Sequence, residues 1–245
     1  MKNAITRTLI ILLLSLTKTT WAQSFQPYKS GVIFYRGYSF PIVPGTEAWK
    51  NINHPQKVAS LQLPMDTLRN MSTTRLLETC IYYPFNIDII AFDDQFEGFG
   101  NIKDQFNGYS ELYQRQDFVE QLIRFYYTRN VSFVDQLPLD YDKGLFAFDF
   151  KIMEFMFADA ACMASYDQAE LIVKLLLEKK HQKAQNQVYG STNNIAMGLA
   201  IGRCLQLFSS SFSDYRGTTL NAFLQSGKLT DPSDLDYIFN KAKIL

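Results

Sequence analysis

Residues 144–165 read GLFAFDFKIMEFMFADAACMAS and are apolar on almost every face of a helix. A helix that is apolar all round is typical of a central, buried position in a larger helical protein. Four charged residues exclude a membrane-spanning role for this stretch: Asp149, Lys151, Glu154 and Asp159. The stretch therefore predicts a central helix around which the rest of the chain packs.

Residues 71–84, MSTTRLLETCIYYP, show how the flanking helices are specified. Ser72 or Thr73 can cap this helix, because a hydroxyl accepts a hydrogen bond from an unpaired backbone N–H group. Pro84 ends it, since the residue before a proline is pushed out of the α-helical region. The apolar residues between them share one helical face: Leu76, Leu77, Cys80 and Ile81. Cys80 is therefore expected in the core.

Similar caps, proline starts and apolar stripes recur from Thr46 to the end of the chain and predict about ten helices joined by short turns. Phe85–Phe92 indicates a short buried helix, with a strand as the alternative. Gly198 and Gly202 predict a close helix–helix contact, because glycine costs ~1 kcal/mol inside a helix. No regular alternation of strands and helices appears, which argues against an α/β hydrolase or a Rossmann fold. The predicted fold class is all-α, either an irregular α-solenoid of helix pairs or a compact multi-helix bundle.

The first 22 residues have the features of a secretory signal peptide. Lys2 and Arg7 precede the apolar run Leu9–Leu16, which is far shorter than the ~20 residues that span a bilayer. Small residues lie at positions −3 and −1 of the expected cleavage point: Thr20 and Ala22. We expect cleavage after Ala22 and an exported protein, located in the periplasm, outside the cell or at its surface. An uncleaved N-terminal anchor is the alternative.

The remaining chain divides into an extended lead and one helical domain. Residues 23–45 are rich in proline, glycine and aromatic residues and predict the lead, with a short strand around Val32–Tyr35. Residues 46–245 form the helical domain. If this domain is divided into two parts, the loop 130–143 is the boundary between them. Without the signal, 21 basic residues stand against 24 acidic ones. This balance argues against nucleic acid as a partner and against electrostatic adhesion to an anionic membrane.

Residue types that carry catalysis are sparse. His54 and His181 are the two histidines, and neither has a metal-binding partner at helical spacing. The sequence has no GxSxG, HExxH or glycine-rich phosphate loop. Cys80, Cys162 and Cys204 allow at most one disulfide, whose pairing the spacing does not select; we interpret all three as buried free thiols. A cysteine–histidine pair such as Cys162 with His54 is formally open.

Acidic residues gather in two places. Those in the loop 130–143 resemble part of a calcium loop, which requires more oxygen ligands, and we interpret them as solvated or capping acids: Asp135, Asp140 and Asp142. A second group could pair carboxylates for glycoside cleavage, but the spacing from Asp94 to Glu97 is that of a capping box: Asp93, Asp94 and Glu97. We therefore predict no catalytic, cofactor-binding or metal-binding residues.

Trp49, the segment 61–94, the dipeptide 98–99 and the segment 106–117, FNGYSELYQRQD, resemble a pattern in secreted proteins of gut Bacteroidetes and some Firmicutes. The segment 61–94 reads LQLPMDTLRNMSTTRLLETCIYYPFNIDIIAFDD. The resemblance covers residues 46–125. It implies an all-α fold with ARM-like or HEAT-like helix pairs, and it supplies no activity and no catalytic residues.

The sequence favours a non-catalytic helical-repeat module that binds a protein or peptide outside the cytoplasm, because stacked helix pairs form extended binding surfaces. No cofactor is implied. The alternative is a cell-envelope hydrolase or lyase on an α-helical scaffold. An enzyme of this kind would bring two acids, or a histidine and a nucleophile, together with perturbed pKa values.

Overall fold

The computed structural model describes residues 37–190, 193–209, 212 and 217–244. Within these residues the chain is all-α, with ten helices of seven residues or more and no strand, so the predicted fold class is confirmed. The expected signal peptide, residues 1–22, and the expected strand Val32–Tyr35 lie outside the described residues. The lead is described only from Gly37 to Gly45, where it forms no helix.

The first half of the described chain contains seven α-helices and a 3₁₀ helix: α1 Glu47–Lys50, α2 His54–Ser60, α3 Met65–Asn70, α4 Thr73–Ile81, η1 Pro84–Ala91, α5 Gln95–Gln105, α6 Asn107–Leu112 and α7 Phe118–Thr128. The second half contains η2 Val131–Gln136, α8 Asp140–Ala160, η3 Ala161–Met163, α9 Tyr166–Lys183, η4 Gln187–Tyr189, α10 Asn193–Phe208, α11 Thr218–Ser226 and α12 Ser233–Ala242. Among the described residues, no helix combines the length and apolar character that crossing a membrane requires.

Helix α8 is the central helix that its apolar sequence predicts. Every residue from 150 to 158 is buried, including two charged ones. The helix packs against α4, α5 and α7 from the first half of the chain and against α10 from the second. In a solenoid each repeat contacts only its neighbours. The packing around α8 is therefore that of the compact bundle, and the described residues belong to one compact unit.

Three helices begin at cap residues that the sequence predicts. Thr46, Ser72 and Asp94 each accept backbone N–H groups with their side chains. The predicted loop 130–143 is wrong in part, because η2 occupies much of it and α8 begins at Asp140. Buried Val131 and Val134 lie in η2, which packs against α8 and α9, so this segment is fixed by tertiary contact.

The glycine pair in α10 makes the close contact that its spacing predicts. A Cβ atom at Gly198 would lie 2.4 Å from Cδ2 of Leu235 in α12. A Cβ atom at Gly202 would lie 2.4 Å from Cδ2 of Leu224 in α11. Both neighbouring helices thus approach α10 so closely that a side chain at either glycine would have to displace a leucine.

Candidate functional site

The 3₁₀ helix η1 is the candidate binding surface. It is eight residues long, whereas 3₁₀ runs beyond three or four residues are uncommon. With three residues per turn, positions i and i+3 lie above one another, so the helix has three rows of side chains. The segment was predicted as a helix or a strand; a strand is wrong, and full burial is also wrong because part of the helix faces solvent.

The inner row of η1 anchors it to the core through Asn86 and Ile89, which are both buried. The Asn86 amide nitrogen donates to the backbone carbonyls of Cys80 at 2.8 Å and Ile81 at 2.9 Å. The hydroxyl of buried Tyr109 lies 3.0 Å from the Asn86 amide oxygen. These bonds satisfy carbonyl groups at the end of α4 and hold η1 in a fixed orientation.

The outer row of η1 presents aliphatic side chains to solvent. Ile87 is 40% exposed and Ile90 is 57% exposed. Their three-residue spacing places them one above the other, next to each other on the surface. Two neighbouring isoleucines on an anchored helix form an apolar contact surface of fixed shape.

The third row carries Phe85, Asp88 and Ala91 and borders an aromatic group from α1 and α2. The Phe85 ring centroid lies 5.6 Å from that of Trp49 and 5.4 Å from that of His54. Burial raises the pKa of the Asp88 carboxyl, and the nearby His54 opposes this shift. We call Ile87, Ile90, Asp88, Trp49 and His54 the η1 surface.

A second candidate lies inside the bundle, where charged residues of α8 meet other helices. Lys183 of α9 forms an ion pair with Glu154 of α8, and the Tyr126 hydroxyl donates to the same carboxylate oxygen at 2.6 Å. Glu154 is fully buried, and the Lys183 side chain is 5% exposed. Burial lowers the pKa of Lys183, although Glu154 opposes the shift. The other carboxylate oxygen of Glu154 is buried and has no hydrogen-bond partner among the described residues.

A neighbouring ion pair joins Arg129, at the end of α7, to Asp149 of α8. Arg129 also donates to the Tyr82 hydroxyl at 2.6 Å, and its guanidinium carbon lies 4.3 Å from the centre of the Phe146 ring. Its backbone carbonyl accepts from the ammonium group of Lys179 at 2.8 Å. Arg129 thereby connects the ends of α4 and α7 with α8 and α9.

This buried charge cluster, Arg129, Asp149, Glu154, Lys179 and Lys183, explains why α8 carries charges in an apolar sequence. Each charge is paired or hydrogen-bonded across a helix interface, which offsets the cost of its burial. The groups are enclosed by aromatic rings, and Lys183 lies 4.6 Å from the centre of the Phe150 ring. The arrangement therefore fits a role in holding helices in register better than a role in contacting substrate.

The three cysteines are free thiols, but their burial differs from the prediction for one of them. Cys80 and Cys204 are buried, and burial raises the pKa of Cys80 and raises that of Cys204 to about 12. Cys162 is exposed, so its predicted burial is wrong. Cys162 lies beyond the end of α8 at Ala160, in the short 3₁₀ helix η3. The buried face of α8 therefore does not extend to it.

The remaining predicted candidates occupy separate places in the described chain. His54 and His181 are both exposed, on α2 and α9. Asp94 caps α5 with bonds to two backbone N–H groups. Asp135 accepts from the Asn186 amide at 2.6 Å, and Asp140 pairs with Lys143 on the surface. Within the described residues no three acidic, histidine or cysteine side chains could together hold a metal ion.

Sequence reasoning missed both candidate sites for different reasons. The charges of α8 were visible as polar interruptions in an apolar helix, and such interruptions signal buried partners. Their partners lie on other helices, about one to four helices away along the chain. No short sequence pattern around α8 identifies these partners. The exposure of Ile87 and Ile90 depends on which face of η1 packs against the core, and the apolar sequence of this segment does not indicate that face.

No family model, curated protein or solved structure matches this chain. The resemblance of residues 46–125 to secreted proteins of gut Bacteroidetes and Firmicutes stays a prediction.

Proposed function

We propose that this protein is exported, acts in the periplasm or outside the cell, and binds a protein or peptide partner through the η1 surface without catalysing a reaction. The observation that carries the proposal is the exposed isoleucine row of an anchored 3₁₀ helix. Full burial of an exposed isoleucine side chain contributes about 1.5–3 kcal/mol, and Ile87 and Ile90, which are about half exposed, can each supply part of that value to a binding free energy.

The state of the reactive residue types supports a binding role over catalysis. Cys80 is sealed in the core, and its pKa is raised by burial, which disfavours the nucleophilic thiolate. Glu154 and Lys183 neutralise one another inside the bundle. The η1 surface instead combines apolar area with aromatic and polar neighbours, a composition typical of interfaces.

Site-specific photo-crosslinking of the full chain in its native host tests this proposal. A benzophenone amino acid at position 90 should trap one recurring protein or peptide, identified by mass spectrometry. The double variant Ile87→Lys/Ile90→Lys should weaken binding of that partner at least tenfold, because it places two charges in an apolar contact. Its circular dichroism should remain that of the wild type, since both side chains face solvent.

The matched control uses another exposed apolar pair, Leu139 and Tyr141, at the start of α8. A crosslinker at position 141 should not trap the same partner, and Leu139→Lys/Tyr141→Lys should leave its binding unchanged. Equal trapping from both positions, or no recurring product from position 90, would count against the η1 surface.

The alternative, a cell-envelope hydrolase or lyase, is favoured by the proximity of His54 and Asp88 beside Trp49. A carboxylate and an imidazole are the residue types that recur in acid–base catalysis. If this alternative holds, purified protein should convert cell-envelope material, and His54→Ala should abolish that conversion.

A further inference from the structure

The helix η1 and the turn after it lie in a stretch of the chain whose charges are all negative. Residues 76–102 contain no lysine, arginine or histidine, and they contain these acidic residues: Glu78, Asp88, Asp93, Asp94 and Glu97. Helix α5 accounts for two of them, because Asp94 caps it and Glu97 lies in its first turn, where the helix dipole favours an acid. Asp88 and Asp93 are exposed and cap no helix. Their charges therefore need another explanation.

Asp88 and Asp93 both lie close to the exposed isoleucine row of η1. With three residues per turn, Asp88 belongs to the row next to that of Ile87 and Ile90. Asp93 follows Ile90 by three residues, so their Cα atoms are at most about 11 Å apart. The Debye length at physiological ionic strength is about 8 Å, so a charge placed beside Ile90 is only partly screened from these carboxylates.

The cations on neighbouring elements are engaged with other groups. These contacts are Lys57 of α2 at 5.2 Å from the centre of the Trp49 ring, Lys103 of α5 with Asp159 at 2.6 Å, and Lys151 of α8 with the Gln95 amide oxygen at 3.1 Å. Within the part of the chain that the structure describes, the ion pairs involve carboxylates other than Asp88 and Asp93. His54 lies near Asp88 without forming an ion pair with it. The negative charge beside the isoleucine row is thus left for a partner.

The sign of this charge argues against three other occupants of the η1 surface. A second copy of the chain, related by a two-fold axis, would meet the first through the same surface. Asp88 and Asp93 of both copies would then approach one another, and like charges that face each other cost free energy. Nucleic acids and anionic lipid surfaces carry phosphate charges of the same sign. The surface therefore fits a partner with positive charge.

We propose that the η1 surface binds a cationic, apolar segment of a partner polypeptide. Two apolar side chains of the segment cover Ile87 and Ile90, and a lysine or arginine beside them pairs with Asp88 or Asp93. This inference rests on the proposed function, because it names the class of partner for the same surface. The apolar contact supplies affinity, whereas the opposite charges select the partner and accelerate its association.

Selection from a random library of short peptides displayed on phage tests the inference. The purified protein and its Ile87→Ser/Ile90→Ser variant are selected in parallel, and this variant removes the apolar row without adding charge. Peptides that bind the wild type and not the variant should combine two apolar residues with lysine or arginine and carry a positive mean net charge. Neutral or acidic peptides with the same dependence on the isoleucines would overturn the inference and leave the proposed function intact. If no peptide depends on the isoleucines, both are wrong.

The most enriched peptide is then titrated against the wild type and against Asp88→Asn/Asp93→Asn by fluorescence anisotropy. At low salt the double variant should raise the dissociation constant about two- to twentyfold, because an exposed ion pair contributes a factor of up to about five. High salt should weaken binding of the wild type more than binding of the variant, since it screens the charges that the variant lacks.

The matched control is Asp167→Asn/Asp236→Asn, which removes two exposed carboxylates from α9 and α12 and changes the net charge equally. It should leave the dissociation constant unchanged, and circular dichroism should show all variants folded as the wild type. An unchanged dissociation constant for Asp88→Asn/Asp93→Asn, or equal weakening by the control, overturns the inference.

Discussion

At the scale of single residues, position decides whether a reactive side chain can react. Cys80 lies on the inner face of α4, where its backbone carbonyl accepts from Asn86 and its thiol is enclosed. Cys204 is equally enclosed within α10, whereas Cys162 emerges after α8. The same residue type is therefore a small core side chain at two positions and an accessible thiol at the third.

Titration with a thiol reagent such as DTNB at pH 8 should detect this difference. We expect one fast-reacting thiol per folded chain and three in denaturant, because burial keeps Cys80 and Cys204 protonated and shielded. Cys162→Ser should remove the fast reaction and leave the other two unchanged. Fast modification of Cys80 in the folded protein would contradict its assignment to the core.

At the scale of elements, helices meet where small residues or special geometry allow it. Helix α10 places Gly198 against Leu235 and Gly202 against Leu224 and Ile238. The surroundings differ, since Gly198 faces the tip of one half-buried side chain and Gly202 faces two buried ones. The 3₁₀ helix η1 shows the effect of special geometry. Its three residues per turn give three rows of side chains, of which one is anchored in the core and another is exposed.

Alanine substitutions in α10 should separate these two glycines. Gly202→Ala should lower the free energy of unfolding by about 1–2 kcal/mol, because overpacking exceeds the helix-propensity gain of ~1 kcal/mol. Gly198→Ala should cost less, since only Leu235 has to move. Urea denaturation of both variants checks this order, and a larger loss at Gly198 would refute the packing argument.

At the scale of the whole molecule, α8 joins the two halves of the described chain. It contacts α4, α5 and α7 before it and α10 after it. The charge cluster joins α8 to Arg129 after α7 and to Lys183 of α9, so packing and ion pairs act on the same helix. Separating the halves would expose an apolar helix and leave buried charges without partners, which costs several kcal/mol.

Unfolding should therefore be one cooperative transition, without the subdivision at residues 130–143 that the sequence offers. Far-UV circular dichroism reports all helices, while Trp49 fluorescence reports the first half of the chain. Their urea midpoints should coincide for a chain that begins at Gln23, in which Trp49 is the one tryptophan. A separate, earlier transition in Trp49 fluorescence would show two independently folding parts.

Features that depend on neighbouring residues could be predicted from the sequence, whereas contacts between distant residues could not. The caps at Ser72 and Asp94 involve residues within three positions, so the pattern identified them. The core position of Cys80 followed from helical spacing. The ion pair of Lys183 with Glu154 joins residues 29 positions apart, and no local pattern encodes it. The exposure of Cys162 depended on where α8 ends.

The sequence by itself determined the all-α class, the central helix and most helix starts, because periodicity, capping and proline geometry act over a few residues. Tertiary structure decided the compact bundle, the partners of the charges in α8 and the exposed row of η1. The physical reason is that burial and ion pairing depend on which distant helices meet, and the free energy of those contacts belongs to the assembled fold.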